Sequence, residues 1–395
     1  MKKIGQLFFV ISIFLFPFTV LASDTYVSKE VNSTVDLAPN AKSAILMDVA
    51  TGEILYEKNS HEKLAPASMT KMMSMLLILE HIESGAMKWD DMITVSANAS
   101  SMGGSQILLE TGEQMSVEDL FKGVSVASGN DAVVALAEAV AGNVESFVEM
   151  MNKKVKELGL KDTVFKNPHG LDDANHYSTA YDMAMIGREL VKHEKVLEFT
   201  SIYEDYLRKG TEREFWLVNT NRLVKFNPNV DGLKTGYTEG AGYCLTATAK
   251  KNNMRLLTTV MGEESVATRT NEVTALLDYG YANYKLDTLL TKDTVVDTIF
   301  PDKAKQESAS IMPIKEVTKL SKKTQKIGNI TYDVHLNDIK IPIKKGDIVG
   351  NMDILEDGKI VGKVDVTVSE NIDKINFIGL FSRYFSDIVT GNLTL

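Results

Sequence analysis

Ala65-Pro66-Ala67-Ser68-Met69-Thr70-Lys71 runs straight into Met72-Met73-Ser74-Met75-Leu76-Leu77-Ile78-Leu79, and the apolar stretch ends near Ile82, before Gly85. A proline leading into an apolar run of this length, closed by glycine, reads as a helix buried in the body of a domain. Ser68 opens that helix and Lys71 lies one turn along, and residues three apart share a helix face. Burial favours the neutral form of an amine, which suits Lys71 to act as a general base toward the Ser68 hydroxyl. The free N–H groups and positive potential at a helix start suit a developing oxyanion. The spacing alone says little, because Ser60-His61-Glu62-Lys63 repeats it eight residues earlier. That copy sits in a polar turn with no helix behind it and reads as solvated surface.

Working outward, residues 44–56 read as two short strands joined by a turn at Thr51-Gly52. Further helices are expected from Val117 to about Val126, opened by the capping pattern Ser116-x-x-Asp119, from Ala132 to Val140, and from Val144 to about Leu158. From Phe215 to Gly262 the chain alternates β-branched and apolar residues around two turn clusters, which predicts antiparallel strands of one sheet. Strands near both ends of a helical segment imply a sheet built from both ends, with helices packed on it. The fold class is therefore mixed α/β (α+β). The texture changes at Tyr284 to Leu289, and the short alternating segments that follow predict a small all-β domain. Phe377, Phe381, Tyr384, Phe385 and Ile388 recur at helical intervals within Asn376 to Leu393, an amphipathic helix. Docking on its own domain and peripheral membrane attachment both stay open for it.

At the other end, Lys2 and Lys3 precede the apolar run Leu7 to Phe16, Pro17 and the small-residue pattern Val20-Leu21-Ala22, which together read as a signal peptide of residues 1–22. The run falls short of the roughly 20 residues a spanning helix needs. Cleavage takes the net charge of −10 to −12, since residues 1–22 carry two lysines and no acid. So acidic a chain does not read as a nucleic-acid binder. Cys244 is the one cysteine, so no internal disulfide is possible, and its strand-like surroundings predict a buried, inert thiol. The six histidines form no His-Glu-x-x-His pattern, and His169 with His176 near Asp172 and Asp173 reads as a polar loop.

Two further motifs complete a set. Ser128-Gly129-Asn130 falls in the joint between two predicted helices, where the glycine permits unusual dihedrals and a hydroxyl and an amide can face a cleft. Lys234-Thr235-Gly236 occurs once, on or just before the strand-like Gly242 to Ala249. There its glycine allows close approach to the strand edge, while a cation and a hydroxyl suit a terminal carboxylate. Taken singly, helix capping and a solubilising edge lysine are the ordinary readings. Taken jointly and in this order, Ser-x-x-Lys, Ser-x-Asn and Lys-Thr-Gly resemble the β-lactamase and penicillin-binding superfamily. Within it the chain resembles the low-molecular-mass D-alanyl-D-alanine carboxypeptidases, and looks most like the sporulation-associated members. Residues 65–71, Gly103-Gly104-Ser105-Gln106 and Val230 to Thr238 strengthen the likeness.

The resemblance implies a β-lactamase/transpeptidase-like catalytic domain over residues 23–288, an all-β domain over 289–370 and a terminal helix over 371–395. It implies Ser68 as the acylated nucleophile, Lys71 as its base and Ser128 as a proton relay. Asn130, Lys234, Thr235 and Gly236 would contact substrate, and the backbone N–H groups of Ser68 and Tyr237 would form the oxyanion hole. Tyr237 stands where some relatives carry histidine. The expected substrate is a peptidoglycan stem peptide ending in D-Ala-D-Ala, with β-lactam antibiotics as further ligands, no metal or organic cofactor, and an extracytoplasmic location. Two rivals are a β-lactamase, disfavoured because residues 158–188 contain no glutamate to drive deacylation, and a noncatalytic wall-binding scaffold, disfavoured by the intact serine and lysines.

Overall fold

The computed structural model describes residues 36–390, so the expected signal segment, residues 1–22, lies outside the described residues. The central sheet draws on both ends of the first domain, as expected. Its strands are β1 (Ser43–Asp48), β2 (Ile54–Lys58), β3 (Val230–Thr238), β4 (Gly242–Lys251) and β5 (Met254–Glu263), all antiparallel in the order β2-β1-β5-β4-β3. Both faces are covered, because side chains alternate along a strand. Ile45, Met47, Cys244, Leu257 and Met261 pack into one core, while Ala44, Leu46, Leu245, Ala247, Leu256 and Val260 pack into another. The Cys244 thiol is buried, which pushes its pKa up to about 11 and leaves it unreactive.

The helices that position the site are α1 (Lys71–Glu83), α2 (Val117–Ala127), α3 (Asn130–Ala141), α4 (Val144–Glu157), α5 (Ala180–Leu190) and α6 (Val266–Asn283). Residues 71–79 of α1 are all buried, so its helix is apolar on every side because every side is covered. The Ser116 side chain accepts from the Asp119 N–H at 3.1 Å, the cap its pattern predicts. Two readings need correction. Phe215–Val218 is a strand, but it pairs with Glu204–Leu207 in a separate ribbon, not with the central sheet. Alternation specifies a strand without specifying its partner. The sequence reading also passed over α6, whose Ser265 and Thr268 form a capping box and whose Leu276 and Leu277 cover the second face of the sheet.

After α6 the chain enters strand Tyr284–Leu290, which pairs with Val317–Lys322, and then a five-stranded antiparallel sheet around Ile311, Met352, Val366 and Val368. The last helix, α7 (Phe377–Thr390), is tied to the domain by Arg383, whose Nη2 donates to the Lys305 carbonyl at 2.8 Å. The row Phe377, Phe381, Phe385 and Ile388 is at least 60% exposed, so that apolar side of the helix does not pack on the domain. No helix among the described residues is long and apolar enough to cross a membrane.

Candidate active site

Ser68 does not sit in the first turn of α1, as its sequence suggests, but in a 3₁₀ turn, Ala67–Thr70, that feeds into it. Ala67 holds a left-handed φ of 47°, a conformation costing on the order of 1 kcal/mol for a residue with a Cβ. Close backbone packing holds it there. A Cβ on Gly170 would come 1.9 Å from the Ala67 carbonyl oxygen, and one on Gly236 would come 2.8 Å from that of Pro66. Gly236 thus clamps the serine turn against β3 as well as lining the cleft.

Lys71 is fully buried. Its Nζ lies 2.9 Å from Ser68 Oγ, 2.7 Å from Asn130 Oδ1 and 2.7 Å from the His169 carbonyl oxygen. Desolvation lowers its pKa well below the usual lysine value and the charge of Lys234 lowers it further, with Asp131 opposing. Asn130 opens α3, and its Nδ2 donates to the Gly103 carbonyl at 2.7 Å while its backbone N–H donates to that of Ser105 at 2.7 Å. The two motifs therefore meet on one amine, and Gly103 to Ser105 is bound to them.

Ser128 caps α2 with a left-handed φ of 63°, whereas Gly129 has φ −55°. The unusual dihedral expected of the glycine is carried by the serine. Ser128 Oγ is buried without a hydrogen-bond partner among the described residues, and Ser128 lines the cleft beside Ser68. A buried hydroxyl left unpaired is costly, so one facing a cleft is poised for a ligand. Lys234, on edge strand β3, is buried rather than solvated, and its Nζ donates to the Thr235 carbonyl at 3.1 Å. Burial and the nearby Arg269 bring its pKa down to about 7. Thr235 Oγ1 donates to Thr220 Oγ1 at 2.7 Å. Ser68, Ser128, Thr235, Gly236 and Tyr237 all line one open cavity of about 490 Å³, so three distant motifs converge.

The sequence reading missed three contributors. Arg269, from α6, is 4% exposed and lines the same cavity, and nothing in its local sequence marks it. His169 and His176 are not merely a polar loop: the first supplies the carbonyl that holds Lys71, and the second is buried against the serine turn. His176 Nδ1 accepts from the Lys166 N–H at 3.1 Å, which leaves the proton on Nε2 to reach Thr70 Oγ1 at 2.8 Å. Burial depresses both imidazoles to about 4, so both are neutral near pH 7.

The sequence profile described as D-alanyl-D-alanine carboxypeptidase matches residues 29–265. The chain belongs to the D-alanyl-D-alanine carboxypeptidase family. The profile of the penicillin-binding protein 5 C-terminal domain matches residues 284–374, the β-rich region of this D-alanyl-D-alanine carboxypeptidase family member. The D-alanyl-D-alanine carboxypeptidase DacF of Bacillus subtilis is 46% identical over 93% of this chain and 94% of its own length. Penicillin binding protein 5 from Haemophilus influenzae superposes with a TM-score of 0.68 at 34% identity, covering 85% of this chain and 98% of that one. Penicillin-binding protein D2 from Listeria monocytogenes, in its ampicillin-bound form, is 30% identical with a TM-score of 0.56 over 61% of this chain and 97% of its own.

Proposed function

We propose that this protein removes the terminal D-alanine from peptidoglycan stem peptides through an acyl-enzyme on Ser68, and that β-lactams acylate the same oxygen. The observation that carries the reading is the buried Lys71 amine, 2.9 Å from Ser68 Oγ. A neutral amine has two N–H bonds and one lone pair. The N–H bonds go to the Asn130 and His169 carbonyl oxygens, which leaves the lone pair for the Ser68 hydroxyl proton. As Oγ attacks the scissile carbonyl, Lys71 takes that proton, a general-base step contributing roughly 10²–10⁴-fold. The oxyanion forms against the N–H groups of Ser68 and Tyr237, each such donor contributing about 10²–10³-fold. Ser128, its hydroxyl unpartnered among the described residues, relays a proton toward the departing amine. Thr235 and Arg269 receive the terminal carboxylate by charge-assisted hydrogen bonds. Water then hydrolyses the ester, with Lys71 again the base.

The test is to trap the acyl-enzyme with penicillin and map the modified peptide by mass spectrometry. The adduct is expected on the peptide containing Ser68, and an adduct on any other residue overturns the assignment. Rapid turnover of the penicillin would favour a β-lactamase instead.

The chain is organised in this reading as a signal peptide over 1–22, the catalytic domain over 23–288, the β domain over 289–370 and a terminal helix over 371–395 that lies on the outer face of the cell membrane. The exposed row of Phe377, Phe381, Phe385 and Ile388 supports a helix lying in a membrane surface, with its apolar side in the lipid. Deleting residues 372–395 is expected to move the protein from the membrane to the soluble fraction, and unchanged fractionation would refute the attachment.

A further inference from the structure

Tyr237 on β3 and Tyr243 on β4 face each other in register, their ring centroids 4.3 Å apart and their planes 30° from parallel. Residues two apart on a strand share a face, so Tyr237 stands on the same side as Thr235. Tyr243, Val266 and Arg269 line the cavity with them. Tyr237 is 53% exposed despite the stack, and Val266 is 41% exposed, so an apolar rim lies beside the serines, Thr235 and Arg269 of the cleft. A stacked aromatic pair is a stiff surface that yields little to a ligand.

In the reading above, the scissile carbonyl oxygen lies at the Tyr237 N–H and the terminal carboxylate between Thr235 and Arg269. Only one residue, the leaving one, separates those two points, and Tyr237 and Tyr243 line the same cavity beside them. We propose that the Tyr237–Tyr243 stack, with Val266, is the specificity wall for the leaving residue. It admits a single residue with a methyl-sized side chain and a free carboxylate. A larger side chain collides with the rings, and a chain that continues past the leaving residue both forfeits the charge Arg269 receives and runs into the stack. This inference rests on the Ser68 reading.

The experiment compares kcat/KM for two peptides identical except for their ends, D-Ala-D-Ala and D-Ala-D-Leu, on the full mature chain and on Tyr243→Ala, Tyr237→Ala and Tyr243→Phe. Fluorescent penicillin counts the active sites in each preparation. Tyr243→Ala is expected to reduce the preference for D-Ala by about tenfold, within the range that small differences in pocket fit command, chiefly by accelerating the D-Leu peptide. Tyr243→Phe keeps the ring and should keep the preference. Tyr237 is the more exposed ring, so Tyr237→Ala supplies the measurement if Tyr243→Ala does not fold. Unchanged preference in labelled Ala variants, or an equal fall on both peptides, overturns the wall and leaves Ser68 chemistry standing. A wild-type protein that neither takes the label nor releases D-alanine overturns both.

Discussion

Ser60-His61-Glu62-Lys63 and Ser68-Met69-Thr70-Lys71 carry the same spacing eight residues apart, and the two stretches lead different lives. Ser60 is itself buried, contrary to a reading of simple solvated surface, but its hydroxyl donates to Glu57 Oε2 at 2.7 Å and is spent there. Lys63 reaches away from it, 3.2 Å from Asp162 Oδ1 and over the Tyr177 ring, with half its side chain in water. Lys71 has no carboxylate among its hydrogen-bond acceptors and no exposure; its partners are a serine oxygen and two neutral carbonyls. A serine and a lysine become a nucleophile and a base only where desolvation favours the neutral amine and no carboxylate claims either group. The spacing brings the residues to one side of the chain. The surroundings decide the protonation state.

The largest effect that would break this comparison is on turnover. Ser68→Ala should abolish penicillin labelling and reduce D-alanine release by at least about 10⁴-fold, as removal of a catalytic nucleophile does. Ser60→Ala should keep the rate within about twofold and cost about 1 kcal/mol in a urea melt, the worth of one buried hydrogen bond. A comparable loss of activity in Ser60→Ala would erase the distinction.

Next comes acid stability. Each copy has a histidine beside it: His61 packs against the Tyr181 ring, tilted 32° with centroids 4.7 Å apart, whereas His176 is buried under Thr70. The folded pKa of His176 is lowered from 6.5 to about 4, so the unfolded chain binds more protons between those values and stability is lost as pH falls from 6.5 toward 4. The loss attributable to His176 is about 3 kcal/mol at most, at 1.36 kcal/mol per pH unit. Melts of His176→Gln across pH 4–7 should show a shallower slope than wild type; an identical slope would assign the acid sensitivity elsewhere.

The smallest effect sharpens the electrostatics. In the proposed mechanism Lys71 acts as base only while neutral, so acylation by penicillin should rise with pH through its lowered pKa. Lys234 is one cause of that lowering, and Lys234→Gln should therefore move the acid limb of the rate profile to higher pH, slowing acylation on the limb by on the order of tenfold. Lys63→Gln should leave the limb in place. A limb that stays put in Lys234→Gln would show that burial alone sets the Lys71 amine.

Much of this molecule is local chemistry that its sequence expresses directly. The apolar run after Lys71 forces a buried helix, Ser116 and Asp119 set a cap, alternation around Cys244 and Leu245 makes a doubly covered strand, and the order of three short motifs names the family. These depend on neighbours a few residues away, where periodicity and hydrogen-bonding capacity are enough. What only the tertiary structure decided depends on partners far along the chain. Asn130 is joined to Lys71, His169 offers a backbone carbonyl, Arg269 enters from an unread helix, and strand Phe215–Val218 leaves the main sheet. A carbonyl oxygen is identical at every position, and an arginine looks the same on any helix face. Their roles come from burial and convergence, which exist only once the chain has folded.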